Sequence, residues 1–293
     1  MIVLEVAFLA IFWTWVACAI LFLRNTLMPR LPLTMTPESF GMAAETIRFP
    51  ATDRLELEGW NIPGQPAQPW IILCHGLGSN RSDLLEIAAG LHRAGFNLFL
   101  FDFRGHGGSR GRTTSFGLTE QRDVEGALAA LGQRGEIPAA PYGIYGISMG
   151  GSVALMVAAQ DERLGAIAVD SPYTNLNSSI SRHVHLMYPW LPRVPFDWMI
   201  AATYRMRFGL WPQQLSPEAS AAQLGPRPLL LIQGGADPRM PPEEATRLFE
   251  QSSNPKELWV IPHAGHLEGY TMDPAAYVKR LVIFFESHLK RTR

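Results

Sequence analysis

Tyr142-Gly-Ile-Tyr-Gly-Ile-Ser-Met-Gly-Gly-Ser152 reads as a strand that turns directly into a helix. Tyr142 to Ile147 is a short apolar run of the length expected for a buried strand. From Gly150 onward, Val153, Leu155, Met156, Val157 and Ala158 have the composition of a helix. Between the two stands Gly146-Ile147-Ser148-Met149-Gly150, a G-x-S-x-G pattern at the junction. A chain that reverses so sharply strains its middle residue and brings the positions two before and two after it too close for a Cβ, so both are glycine. Such a turn lifts the Ser148 hydroxyl above the sheet, beside a helix N-terminus, where a nucleophile can act. The same pattern also fits an ordinary glycine-rich turn, so the flanking elements and the partners of Ser148 decide its meaning.

Working outward, Trp70-Ile-Ile-Leu-Cys74, Asn97-Leu-Phe-Leu-Phe101, Leu164-Gly-Ala-Ile-Ala-Val-Asp170, Pro228-Leu-Leu-Leu-Ile-Gln233 and Glu257-Leu-Trp-Val-Ile261 are further apolar strand candidates. Helical patterns separate them: Leu84 to Leu91, Leu118 to Leu131, Pro242 to Ser252, and a last helix from Pro274 with Asp273 as its N-cap. Continuous apolar strands alternating with amphipathic helices predict a mostly parallel sheet covered on both faces, an α/β sandwich. Glu45–Phe49 and Leu55–Trp60 alternate polar with apolar, as antiparallel edge strands do.

In such a sheet the functional loops lie beyond the carboxyl ends of the strands. The polar residues predicted there, after Ser148, are Asp170, Asp237 and His266, with His263 nearby. A serine hydroxyl needs a base within hydrogen-bond reach, and that base needs a carboxylate to fix its tautomer. Ser148, Asp237 and His266 supply these in the order nucleophile, acid, base; Asp170 is the alternative acid and His263 the alternative base.

The serine turn, this order, the His75-Gly76 loop and the Asp102-x-Arg104-Gly105-x-Gly107 loop together resemble the α/β-hydrolase superfamily, best its membrane-anchored Bem46-like or serine-aminopeptidase-like branch. The resemblance spans residues 45–290. It implies an α/β-hydrolase fold with Ser148, Asp237 and His266 as triad. It also implies an oxyanion hole from the backbone N–H groups of Leu77 and Met149, with His75, Gly76, Gly146 and Gly150 shaping the loops. Asp102 and Arg104 read most simply as an ion pair or as loop-fixing hydrogen bonds. His183-x-His185 has metal-compatible spacing but no evident third ligand, so both read as ordinary residues.

Residues 171–226 form a long insertion rich in aromatic and methionine side chains, where the superfamily carries a cap. Its apolar residues suit an acyl group; Arg182, Arg193, Arg205 and Arg207 are equally fitted to meet an anion or water. The expected activity is serine-based cleavage of an ester with an apolar or lipid-like acyl group. Peptidase, amidase and thioesterase activity fit the same residues, and a non-catalytic interaction protein on this scaffold is the reading of another class.

At 293 residues, 47% hydrophobic and with a net charge of −1, the chain can bury a sizeable core and has no field for nucleic acid. Cys18 and Cys74 sit in apolar runs and read as buried hydrophobes, and no cofactor is implied. From Val6 to Leu23 every residue but Thr14 is apolar, which predicts a transmembrane anchor over residues 1–24. The rivals are a cleaved signal peptide with Ala17-Cys18-Ala19 at its cleavage site, and lipidation of Cys18. Arg24 and Arg30 beyond the span would place the following domain on the cytoplasmic side. A proline-containing connector over 25–45 then leads to a hydrolase domain over 46–290.

Overall fold

The computed structural model describes residues 2–27, 29–133 and 141–289. Met1 and Met28, which belong to the expected span and connector, lie outside the described residues. Strands β1 (Glu45–Pro50), β2 (Glu56–Ile62), β3 (Trp70–Cys74), β4 (Asn97–Phe101), β5 (Tyr142–Ile147), β6 (Leu164–Asp170), β7 (Leu229–Gly234) and β8 (Lys256–Ile261) form one sheet in the order β1-β2-β4-β3-β5-β6-β7-β8. The β1–β2 and β2–β4 pairs are antiparallel, and every pair from β4 through β3 to β8 is parallel. β3, β4 and β7 are buried along their whole length, as continuous apolar runs between two helix layers must be. β1 alternates, with Ile47 and Phe49 inward and Thr46 and Arg48 outward, so it can stand at an edge.

The helices are α1 (Ile2–Thr26), α2 (Leu85–Arg93), α3 (Gln121–Gln133), α4 (Met149–Ala158), α5 (Leu176–Met187), α6 (Arg193–Phe208), α7 (Pro217–Ala221), α8 (Pro242–Gln251), α9 (Gly269–Met272) and α10 (Pro274–Leu289). Apolar residues of α2 and α10 pack on one sheet face, and those of α3, α4 and α8 on the other. α4 follows the central strand and is buried at all its residues from Met149 to Ala158, so it has no polar face to spend on water. The insertion folds as α5, α6 and α7: α5 lines the space above Ser148, α6 packs against α1 and α5, and α7 packs against α4 and α8.

The N-terminal segment requires a correction. Among the described residues no helix is long and apolar enough to cross a membrane, so neither the transmembrane anchor nor the cytoplasmic orientation derived from it holds. One side of helix α1 packs on the domain, while Val6, Leu9, Ile11, Trp13 and Ile20 on its other sides stay exposed. The Trp15 indole N–H donates to Met199 O at 3.3 Å and to Thr203 Oγ1 at 3.2 Å, both on α6. Phe22 is buried in the core, with ring centroids 6.0 Å from Phe116 and 6.2 Å from Tyr204. The Thr114 N–H donates to Thr26 O at 2.8 Å, and Leu27 bridges Thr113. Hydropathy is the same for a side chain that meets lipid and one that meets protein, so the apolar run alone did not distinguish them.

Candidate active site

Parallel pairing brings the loops of the site together. Cys74 pairs with Gly146 and Ile147 with Asp170, so the ends of β3, β5 and β6 lie side by side, with β7 and β8 next in line. Ser148 sits at the turn out of β5 with φ 50° and ψ −120°, in the left-handed half of backbone space where a non-glycine residue is strained. Its N–H donates to Asp170 O at 2.8 Å, which ties the turn to β6. A Cβ on Gly146 would meet Gly150 O at 2.5 Å, and one on Gly150 would meet Cys74 O at 2.3 Å and His75 O at 2.4 Å. All these neighbours are backbone and cannot swing aside. Gly150→Ala therefore pushes the serine turn away from β3, and the expected loss of ester turnover is about 10²-fold or more, since misplacement by about 1 Å costs that much. Turnover measured on a correctly folded variant checks this; an unchanged rate would show that the turn yields.

His266, half-buried in the loop after β8, places Nε2 3.0 Å from Ser148 Oγ and Nδ1 2.7 Å from Asp237 Oδ2. Asp237, in the loop after β7, has a fully buried side chain. Its other oxygen accepts the backbone N–H of Arg239 at 2.8 Å and of Met240 at 2.9 Å. Burial pushes this carboxyl up, but His266 and the two backbone N–H groups outweigh burial and hold its pKa below the ordinary value.

The two alternatives lie elsewhere. The Asp170 carboxylate accepts from Tyr277 Oη at 2.6 Å and from Ser171 Oγ at 2.8 Å, and Tyr277 in turn meets Tyr145 Oη at 2.9 Å. Burial raises the Asp170 pKa. His263 is exposed to solvent. His183 lines the cavity above Ser148, whereas His185 Nε2 meets Asp197 Oδ1 at 3.1 Å. Asp102 and Arg104 pair not with each other but with Arg81 and with Asp123 and Asp53. Asp102 thereby accepts the Arg81 and Gly108 N–H groups, both at 2.7 Å, and closes the loop after β4 onto the loop after β3.

Two histidines brace that same region. The Phe103 N–H donates to His75 Nε2 at 3.0 Å, so the ring proton resides on Nδ1 and donates to Gly76 O at 2.7 Å. In the same way Gly78 N–H donates to His106 Nε2 at 3.2 Å, and His106 Nδ1 donates to Arg104 O at 2.9 Å. Leu77 is thus held between two braced residues, and it lines the cavity with Met149. The Met149 N–H begins α4 and has no acceptor within the helix.

Burial, reinforced by His106, lowers the His75 pKa to about 3. An unfolded histidine takes up its proton near pH 6.5, so folding loses stability as pH falls from 6.5 toward 3. Each proton taken up on unfolding contributes a slope of about 1.4 kcal/mol per pH unit. Between pH 6 and 4, urea unfolding of His75→Asn is expected to show a slope shallower than that of the original protein by about one proton. Equal slopes would mean that His75 is not held neutral in the fold.

A cavity of about 490 Å³ opens over Ser148 and His266. Met149, Phe116, Tyr173, Leu176, Ile180 and Val184 make most of it apolar. Three arginines of the insertion turn elsewhere: Arg182 pairs with Glu244, and Arg205 and Arg207 lie over the rings of Trp211 and Phe208, each at 5.1 Å. Phe22 and Arg239 are among the contributors to the cavity that had no mark in the sequence: Phe22 lies inside a long apolar run with nothing to single it out, and Arg239 belongs to no motif.

A model of the alpha/beta hydrolase family matches residues 71–280. The chain belongs to that family. This hydrolase is 30% identical to the Escherichia coli O157:H7 protein YfhR over 234 residues, 78% of its own length and 75% of YfhR. It is 28% identical to Bacillus subtilis YqkD over 262 residues, 85% of its own length and 82% of YqkD. Among solved structures it resembles the Pyrococcus furiosus esterase Pf2001 with a TM-score of 0.77 and 24% identity, covering 90% of the hydrolase and 98% of that chain. The last likeness is one of fold.

Proposed function

We propose that this alpha/beta hydrolase cleaves an ester with an apolar acyl group through an acyl-enzyme on Ser148. The observation that carries this reading is the unbroken chain of hydrogen bonds from Ser148 Oγ through His266 to the buried Asp237, on the floor of an apolar cavity. Esterase activity in the structural neighbour Pf2001 supports it.

In this mechanism the Ser148 hydroxyl attacks the ester carbonyl while its proton passes to His266 Nε2. Asp237 keeps the other imidazole proton on Nδ1 and stabilises the imidazolium that forms. The carbonyl oxygen gains negative charge as the tetrahedral intermediate develops, and the N–H groups of Leu77 and Met149 receive it. Each such donor is worth about 10²–10³ in rate. His266 then returns its proton to the departing alcohol, leaving an acyl group on Ser148. Water deprotonated by the same imidazole attacks that acyl group, and the acid departs as His266 returns the proton to Ser148 Oγ.

The test joins labelling and turnover. A fluorophosphonate, which reacts only with an activated serine, is expected to label the protein stoichiometrically at Ser148. p-Nitrophenyl esters of medium-length acids are expected to be better substrates than the acetate. Absence of labelling would overturn the nucleophile, and a strict preference for acetate would overturn the apolar acyl group.

A further inference from the structure

Helix α1 reaches the cavity described above. Phe22 and Asn25, at its C-terminal end, line the same space as Ser148. Leu21 and Leu23 beside Phe22 are exposed, at 52% and 36%, whereas Phe22 is 8% exposed. That contrast identifies Phe22 as the residue this turn of helix directs into the domain. Its ring meets Phe116, which also lines the cavity.

Phe116 has φ 60°, a conformation that bulky residues avoid. The surrounding loop holds it there. Tyr173 Oη donates to Phe116 O at 2.8 Å and Tyr204 Oη to Ser115 O at 2.9 Å. Buried Glu120 accepts the Ser115 and Gly117 N–H groups at 2.9 and 2.8 Å. From the other side, Trp15 fixes α1 to α6. Strain that the surroundings enforce so fully is commonly found where a side chain is aimed at a ligand.

We infer that Phe22 and Phe116 form the wall that limits how long an acyl group this cavity admits, so that the N-terminal helix sets the chain-length specificity of the site. The inference rests on the hydrolase reading of Ser148 and adds to it a named determinant on a helix that precedes the residues matched by the family model. Replacing either ring with a smaller apolar side chain lengthens the space available to the acyl chain. Each methylene newly accommodated in an apolar pocket raises kcat/KM by about 10–200-fold relative to the chain one carbon shorter.

The experiment compares the 293-residue protein with its Phe22→Ala and Phe22→Leu variants on p-nitrophenyl esters from acetate to dodecanoate. The optimum is expected to move to longer chains, with the long-to-short ratio of kcat/KM rising at least tenfold for Phe22→Ala. Phe22→Leu, which retains an apolar contact with the core, carries the test if Phe22→Ala does not fold. Leu23→Ala, on the solvent side of the same turn, is expected to keep the original profile. A folded Phe22 variant with an unchanged profile would overturn the inference while leaving the hydrolase reading intact. If the original protein turns over no ester, the hydrolase reading falls, and calorimetric binding of hexanol and decanol tests the wall without chemistry. An unchanged ratio of the two affinities in Phe22→Ala would then overturn it, and a shift toward decanol would support it.

Discussion

Ser148→Ala lowers ester turnover by roughly 10⁴-fold or more, because the hydroxyl, the imidazole and the carboxylate act as one unit. The substitution removes the attacking oxygen and leaves the His266–Asp237 pair without a proton to accept. The backbone cost is small, since alanine meets the same strain at φ 50° as serine and the turn keeps its N–H bond to Asp170 O. Stability to urea is therefore expected to change little while turnover collapses. The turnover that remains is expected to come from substrate binding and the two backbone donors. Fluorophosphonate labelling should vanish in the same variant. A variant that keeps both labelling and turnover would move the nucleophile to another residue.

Asp237→Asn is expected to lower turnover on the order of 10³–10⁴-fold, through the tautomer of His266. The carboxylate accepts three hydrogen bonds, two from the backbone N–H groups of Arg239 and Met240 and one from His266 Nδ1. An asparagine retains its one carbonyl oxygen for the backbone pair, so its NH₂ group faces Nδ1. The ring must then accept at Nδ1 and carry its proton on Nε2, where it can no longer receive the Ser148 proton. Asp170→Asn provides the contrast. That side chain serves Tyr277 and Ser171 and does not touch the imidazole. Its replacement is expected to cost stability in the core and far less turnover than Asp237→Asn. Steady-state kinetics of the two variants decide the matter; a greater loss of turnover in Asp170→Asn would transfer the role of the acid to Asp170.

Much of the sheet was legible because most parallel strands are built around an apolar run between polar or glycine-rich turns, as in Trp70–Cys74 and in the leucines that open Leu229–Gly234. The serine turn was legible because two glycines are sterically imposed by backbone atoms that lie within 2.6 Å of their Cβ positions. Asp102 and Arg104 show where local reading runs short. Two residues apart, they read as an ion pair or as loop-fixing hydrogen bonds; both do fix loops, yet each finds its counter-charge on another element, Asp102 on Arg81 and Arg104 on Asp123. Charge pairing depends on what the fold brings near, and sequence spacing carries that information only within a helix or a tight turn.

By itself the sequence determined the α/β class, where most of its strands fall along the chain and the position of the serine turn, because periodicity and steric exclusion are local properties. It also nominated Ser148, Asp237 and His266 from their places at strand ends. Only the tertiary structure decided that Ser148 and Asp237, which stand 118 and 29 residues from His266, lie within hydrogen-bond distance of it. It likewise decided the setting of the first helix: Trp15 meets α6, Phe22 enters the core, and no described helix is suited to cross a membrane. An apolar side chain states only that it leaves water; which surface receives it is fixed by the packing of the whole chain.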